Sequence, residues 1–146
     1  MKAELRLRPA TLDDSDRLLV WRNDPATRRS SRNSEAVIAE AHGAWLRAVL
    51  ADPDRRLMIA ESGGEPVGTV RADRDAGGWE LSWTVAPAAR GKGYGARIVA
   101  AAMEGLFGLI RAAIRPENGA SLRIAEAVGM TMLRKDACMT YWELRK

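Results

Sequence analysis

The stretch Val85-Ala-Pro-Ala-Ala-Arg-Gly-Lys-Gly-Tyr-Gly-Ala96 places three glycines and two cations between a strand-like run and a helix-like run. Free backbone N–H groups and the helix dipole make such a junction an anion site, and its natural ligand is a phosphate. Gly91, Gly93 and Gly95 have no Cβ, so the main chain can take unusual dihedrals and approach a pyrophosphate closely, with Arg90 and Lys92 adding charge at the rim. A plain glycine-rich turn would read the same way. The Walker pattern is absent from the chain. The dinucleotide pattern is formally met by Gly91, Gly93 and Ala96, but the meander of short strands before the loop does not suit a Rossmann unit.

The elements that must hold this loop follow from the periodicity. Glu4 to Arg8 alternates as a half-buried strand, and Thr11-Leu-Asp-Asp14 starts a helix running to about Arg22 with a capping box. Asn23-Asp24-Pro25 stops it. A second helix is expected from about Ser34 to Leu50, with Ile38, Ala41, Trp45 and Val49 on its apolar stripe. Leu57 to Glu61, Val67 to Asp73 and Trp79 to Val85 then form a three-stranded meander, separated by Ser62-Gly-Gly-Glu65 and Asp75-Ala-Gly-Gly78. After the loop, a helix to about Phe107 packs Ile98, Val99 and Met103 on the sheet, and Ile110 to Arg115 is a strand. Asn118 to Val128 is a helix closed by Gly129, and Met130 to Asp136 with Met139 to Leu144 are the last two strands.

Two spacings together are similar to one known family. Val85-x-Pro-x-x-Arg-Gly-x-Gly-x-Gly-Ala, followed by Asn118-x-x-Ser-x-x-x-Ala-Glu-x-x-Gly-Met130, resembles the GNAT acetyltransferases in order and spacing, and the order of elements agrees. The resemblance implies a single domain over residues 1–146. Its fold is α/β (α+β), with a central mixed, mostly antiparallel sheet of about seven strands, about four helices, and a splay between strands 4 and 5. It implies acetyl-coenzyme A as co-substrate and no metal. Arg90, Gly91, Lys92, Gly93, Tyr94, Gly95 and Ala96 would cradle the pyrophosphate, while Val85 N–H would polarise the thioester carbonyl. Asn118 and Ser121 would reach the cofactor arm, although both also suit helix capping or packing.

Direct transfer to an amine needs a base, a donor for the developing oxyanion and a route for the thiolate. Glu80 is the candidate base: it shares a strand face with Ser82 and Thr84, opposite Trp79, Leu81, Trp83 and Val85. An ordinary solvent-facing glutamate is the alternative. Where many family members carry a tyrosine acid, seven residues after Asn118, this chain has Ala125, which leaves Tyr141 or water. The N-terminal third, with Trp21-Arg22-Asn23 and His42-x-x-Trp45, resembles the subgroup acting on nucleotide-linked 4-amino sugars. Arg22 would then bind a pyrophosphate, and Trp21 or Trp45 would stack on a base. Core packing for the tryptophans, a surface place for His42 and a helix-ending role for Asn23 are the bland alternatives. A protein N-terminus is the rival acceptor, an aminoglycoside is disfavoured by the basic charge, and a non-catalytic acetyl-coenzyme A module is the reading outside enzymology.

Composition limits the rest. At 146 residues and 47% apolar the chain has the size to bury one core, and its net charge of +4 comes with 19 arginines against four lysines. That excess favours anionic partners, though base composition of the coding sequence explains it equally. The Arg28, Arg29 and Arg32 cluster has no interleaved aromatics, so no nucleic-acid partner is expected. One histidine and one cysteine cannot close a zinc site, and Cys138 is expected in a buried strand. No apolar run reaches the roughly 20 residues of a membrane span, and the charged stretch Met1 to Pro9 is unlike a secretory leader, so the cytoplasm is the expected compartment. A homodimer through the C-terminal strands would protect a sheet edge.

Overall fold

A computed structural model describes residues 4–146; the part of the charged start that falls on residues 1–3 lies outside the described residues. Strand β1 (Leu5–Pro9) is followed by a short 3-10 turn, then helices α1 (Ser15–Asn23), α2 (Pro25–Ser30) and α3 (Ala39–Ala51). The meander is β2 (Arg55–Ser62), β3 (Glu65–Asp75) and β4 (Gly78–Val85). After it come α4 (Tyr94–Glu104), β5 (Leu109–Ile114), α5 (Gly119–Ala127), β6 (Thr131–Lys135) and β7 (Thr140–Arg145). The strands form one seven-stranded sheet in the order β1-β2-β3-β4-β5-β7-β6, antiparallel except where β4 meets β5. This is the mixed sheet expected from the sequence.

Among the described residues the helices number five, against about four expected, and the reason is local. Asp24 leaves the helical region (φ −55, ψ 133), which ends α1, while its carboxylate accepts from Thr27 N–H and Pro25 occupies the first turn of α2. The sequence Asn23-Asp24-Pro25 is thus a stop and a start at once. The next helix begins at Ala39 instead of Ser34, because side chains hold residues 31–37 in an irregular path. Asn23 exchanges two hydrogen bonds with the Val37 main chain (2.7 and 2.8 Å), Arg22 donates to Asn33 O, Arg28 to Ser34 O, and Arg115 to Ser31 O and Arg32 O.

Helices cover both faces of the sheet. A Cβ on Gly68 would sit 2.8 Å from Ile98 of α4, so Gly68, Val70 and Ala72 face α4, and the pairing puts Trp79, Leu81, Trp83 and Val85 on that side. The alternate residues Thr69 and Arg71, with Glu80, Ser82 and Thr84, face α3, whose Trp45 lies under the Arg71 guanidinium at 5.6 Å. Leu46 and Val49 of α3 and Leu57 and Ile59 of β2 are buried in the core. At the start of α1, Asp14 is 1% exposed and accepts a two-pronged bond from Arg8 (2.8 and 2.9 Å), a bond from Arg17 and one from Thr11 N–H. The Arg8 bonds, against the cost of burial, hold its pKa down to about 2.

Cys138 is exposed, contrary to the buried place expected of it. It lies in the turn between β6 and β7, where the Asp136 carboxylate accepts from the N–H groups of Cys138 and Met139 and takes both out of the ladder.

Candidate active site

The cleft starts where two strands part. β4 and β5 pair only at Trp79–Ile110 and Glu80–Arg111, although β4 continues to Val85. Ala86 N–H donates to Val67 O on β3, and antiparallel pairing alternates, so the main-chain groups of Val85 and Trp83 point away from β3. They face the gap left by β5. An extended ligand arm can pair there as an added strand.

At the end of β4 the chain turns through Pro87–Ala89 into the loop before α4. Gly91 (φ 77) and Gly93 (φ 80) are left-handed, a region costly to residues with a Cβ, and open space surrounds both. Gly93 is the N-cap of α4 and supplies no side-chain acceptor, so the first N–H groups of the helix are left for an anion. Gly95 serves differently. Its φ needs no glycine, but a Cβ there would collide with Ile124 of α5, so the missing side chain lets α4 and α5 close against each other. The loop therefore fits a pyrophosphate.

A cavity of about 1050 Å³ joins the gap and loop to α1, α2 and α3. Of the residues singled out from the sequence, Trp21, Arg22, His42, Trp45, Glu80, Val85, Asn118 and Ser121 line it, as do Arg90, Gly91, Gly93, Tyr94, Gly95 and Ala96. Lys92 and Asn23 do not. Asn23 is committed to the Val37 main chain. The Arg90 side chain is also committed, to Asp24 (2.8 Å) and Thr27 (2.9 Å), and so ties the loop to α2. Tyr94 anchors the start of α4 to Ser62 of β2 through its hydroxyl (3.3 Å).

Other side chains have structural work in the same wall. Asn118 caps α5 by accepting from Ser121 N–H, and Ser121 Oγ accepts from Trp83 Nε1 (3.1 Å). Trp21 is 8% exposed and belongs mainly to the core, which leaves it little face for stacking. His42, expected at the surface, is 3% exposed, because α3 turns it inward against Trp45 (centroids 5.5 Å apart). Burial first, and then the Arg22 charge, push its imidazole below the ordinary range, so it is neutral at pH 7.

Glu80 is half-buried, with Oε1 3.5 Å from Arg32 Nη2. Ala125 is fully buried and offers no proton. Tyr141 bonds Asp136 (3.1 Å) under the Arg134 guanidinium at the β6–β7 hairpin and does not line the cavity. Sequence reasoning missed Asp24, Arg71, Trp83 and Ile124. The Asp24-Pro25 pair carried a usable capping signal, and Arg71 follows from alternation once β3 is paired with β4; Trp83 and Ile124 carry none.

Among the described residues, no group of three His, Cys, Asp or Glu could hold a metal ion, and no helix is long and apolar enough to cross a membrane. No curated protein sequence matches the chain. Solved structures do share its fold. One is an aminoglycoside acetyltransferase, AAC(6')-Ib, in complex with coenzyme A, at 22% identity and TM-score 0.83 over 98% of this chain and 95% of that one. A spermidine N-acetyltransferase from Vibrio cholerae, in complex with coenzyme A and spermine, matches at 14% identity and TM-score 0.81 over 95% and 92%. A domain from Methanocaldococcus jannaschii matches at 19% identity and TM-score 0.86 over 99% of both chains. The sequence model of the acetyltransferase (GNAT) domain family matches residues 4–131. The chain therefore belongs to the GNAT acetyltransferases and is an enzyme that takes its acetyl group from acetyl-coenzyme A.

Proposed function

We propose that this enzyme acetylates a primary amine carried on an anionic small molecule, the 4-amino group of a UDP-linked amino sugar, in the cytoplasm, with residues 1–146 acting as a single domain. One observation carries the reading. Among the described residues lining the cavity, the ionised side chains are five arginines (Arg22, Arg32, Arg71, Arg90 and Arg123) and one carboxylate, Glu80. Arg90 and Arg123 belong with the phosphate loop and α5, while Arg22, Arg32 and Arg71 are on the acceptor side. Arg71, Arg90 and Arg32 are paired with Asp73, Asp24 and Glu80, so among the described residues Arg22 is the acceptor-side cation with no carboxylate within ion-pair distance. It disfavours the polycations named for the aminoglycoside and spermidine enzymes and favours a sugar nucleotide. Trp45, half-buried in the same wall, offers the base a partial face.

In this reading Gly91 to Ala96 hold the pyrophosphate of acetyl-coenzyme A with main-chain N–H groups, and Asn118 and Ser121 flank its arm. The bound thioester supplies the acetyl group. Val85 N–H, aimed into the gap, donates to the oxygen that gains charge as the amine attacks. Glu80 takes the amine proton. Neither Ala125 nor Tyr141 can protonate the departing thiol, so it leaves as thiolate or is protonated by water, tolerable for a thiol of pKa about 8.5.

Coenzyme A release, followed with a thiol reagent, tests the acceptor. A UDP-linked 4-amino sugar should be turned over with kcat/KM at least about a hundredfold above kanamycin, spermidine and peptide amines, the discrimination expected from reversing the sign of a few close charges. Comparable turnover of a polycation, or preference for a peptide N-terminus, rejects the sugar nucleotide.

A further inference from the structure

Two polar atoms in the acceptor wall have lost water without gaining a partner. Arg22 Nη1 and His42 Nδ1 are buried and make no hydrogen bond, and both residues line the cavity. Neither side chain is loose. Arg22 is held through Nη2, which donates to Asn33 O at 2.7 Å, and the His42 ring is set against Trp45. Arg22 sits in the last turn of α1 and His42 in the first turns of α3, and these two helices pack together.

The charges around the pair have one sign. Among the described residues no carboxylate lies within ion-pair distance of Arg22, and Arg28, the next charge felt at Arg22, is another cation. A buried guanidinium nitrogen without an acceptor is costly, and an ammonium ligand would make it worse. An oxyanion cancels the cost, accepting from the arginine and from the imidazole in the tautomer that carries hydrogen on Nδ1.

We propose that Arg22 and His42 form an oxyanion subsite at the acceptor end of the cleft, filled by a phosphate of the acceptor, with Arg22 Nη1 and His42 Nδ1 as donors. The assignment deepens the sugar-nucleotide reading and rests on it for the choice of phosphate. It would place the acceptor's charged end between α1 and α3, across the cavity from the coenzyme A loop, with the amine directed towards Glu80 and Val85.

His42 is the one histidine of the chain, so its imidazole NMR signals are an unambiguous reporter. The protein is first saturated with coenzyme A, which occupies the glycine loop, and is then titrated with inorganic phosphate, UDP and acetate. Phosphate and UDP should shift the His42 signals saturably and acetate much less. Loss of a charge-assisted bond in Arg22→Gln should weaken UDP binding about tenfold or more. A stronger response to acetate than to phosphate supports the subsite but assigns it to a carboxylate-bearing acceptor. Signals unmoved by all three probes at millimolar concentration overturn it, and this measurement needs no variant to fold. The two readings fail separately. If UDP-amino sugars are not acetylated yet phosphate moves His42, the subsite stands and the named acceptor falls. If Arg22→Gln and His42→Phe both turn over the sugar nucleotide with native KM, the acceptor stands and the subsite falls.

Discussion

Adding one methyl group at Gly95 tests how the cofactor cradle is built. The new Cβ would overlap Cδ1 of Ile124 and stand 3.2 Å from its Cγ1 and 3.4 Å from Val85 Cγ2. Two responses are open. Ile124 can turn its terminal methyl aside, at about 0.5–1.5 kcal/mol for a poorer rotamer, or α4 can move off α5, at about 1–3 kcal/mol for overpacking. Alanine returns up to about 1 kcal/mol of helix propensity, less in a first turn. The net loss of stability is thus about 0–2 kcal/mol, or a fall in melting temperature of up to about 8 °C for a domain of this size. Binding should suffer more, because Gly95, Ile124 and Val85 all line the cavity and either response moves the wall that holds the cofactor arm. Coenzyme A affinity, measured by calorimetry, should drop about tenfold in Gly95→Ala, the equivalent of ~1.4 kcal/mol. Ile124→Val removes the overlapping methyl and should restore most of that affinity in the double variant, giving a favourable coupling of about 1 kcal/mol. Native affinity in Gly95→Ala, or a double variant as weak as the sum of the singles, would refute the packing argument.

Glu80→Gln should cut kcat at least about a hundredfold and leave coenzyme A affinity within twofold, since a positioned base contributes roughly that much; unchanged turnover in a stopped assay removes Glu80 from the chemistry. Asp24→Ala deletes both the α2 cap and the Arg90 anchor, so it should raise the acceptor KM several-fold and lower stability by about 1–2 kcal/mol in a denaturant melt. A coenzyme A affinity left unchanged in this variant would contradict the tie between loop and helix. Asp14→Asn should destabilise by about 2–4 kcal/mol, because Arg8 and Arg17 keep their charges and lose the buried carboxylate they share, Arg8 retaining Glu61 as its counter-charge. The pH dependence follows from the sign of the shift. A carboxylate held at about 2, below its ordinary 3.8, adds about 2 kcal/mol above pH 4, and this disappears as pH falls through 2. Melts from pH 5 to pH 2 should show that slope in the native protein and lack it in Asp14→Asn.

Much of the cofactor half was legible in one dimension. Gly91 and Gly93 announce positive φ, and the alternation of β4 separates Trp79, Leu81, Trp83 and Val85 from Glu80, Ser82 and Thr84, whereas Gly95, read with the other two, turns out to be a packing glycine against Ile124. Each of these signals spans a few residues, where local stereochemistry decides. The acceptor half was less legible. His42 reads as an exposed helix residue until α3 is laid on the sheet, and Trp21 reads as a stacking surface until it is seen in the core. Arg90 reads as a phosphate ligand until Asp24 comes within 2.8 Å of it.

The residues by themselves determined the order of elements apart from α2, the glycine-rich loop ahead of α4 and the capping of α5 by Asn118, because turns, caps and periodicity act between neighbours in the chain. Only the folded molecule decided that β4 and β5 part after Glu80, that residues 31–37 are held by Asn23, Arg22, Arg28 and Arg115, and that one nitrogen each of Arg22 and His42 is buried without a hydrogen bond in the wall of one cavity. Those outcomes depend on contacts between segments far apart in sequence. Their energies come from burial and charge, which no residue type carries until its surroundings are in place.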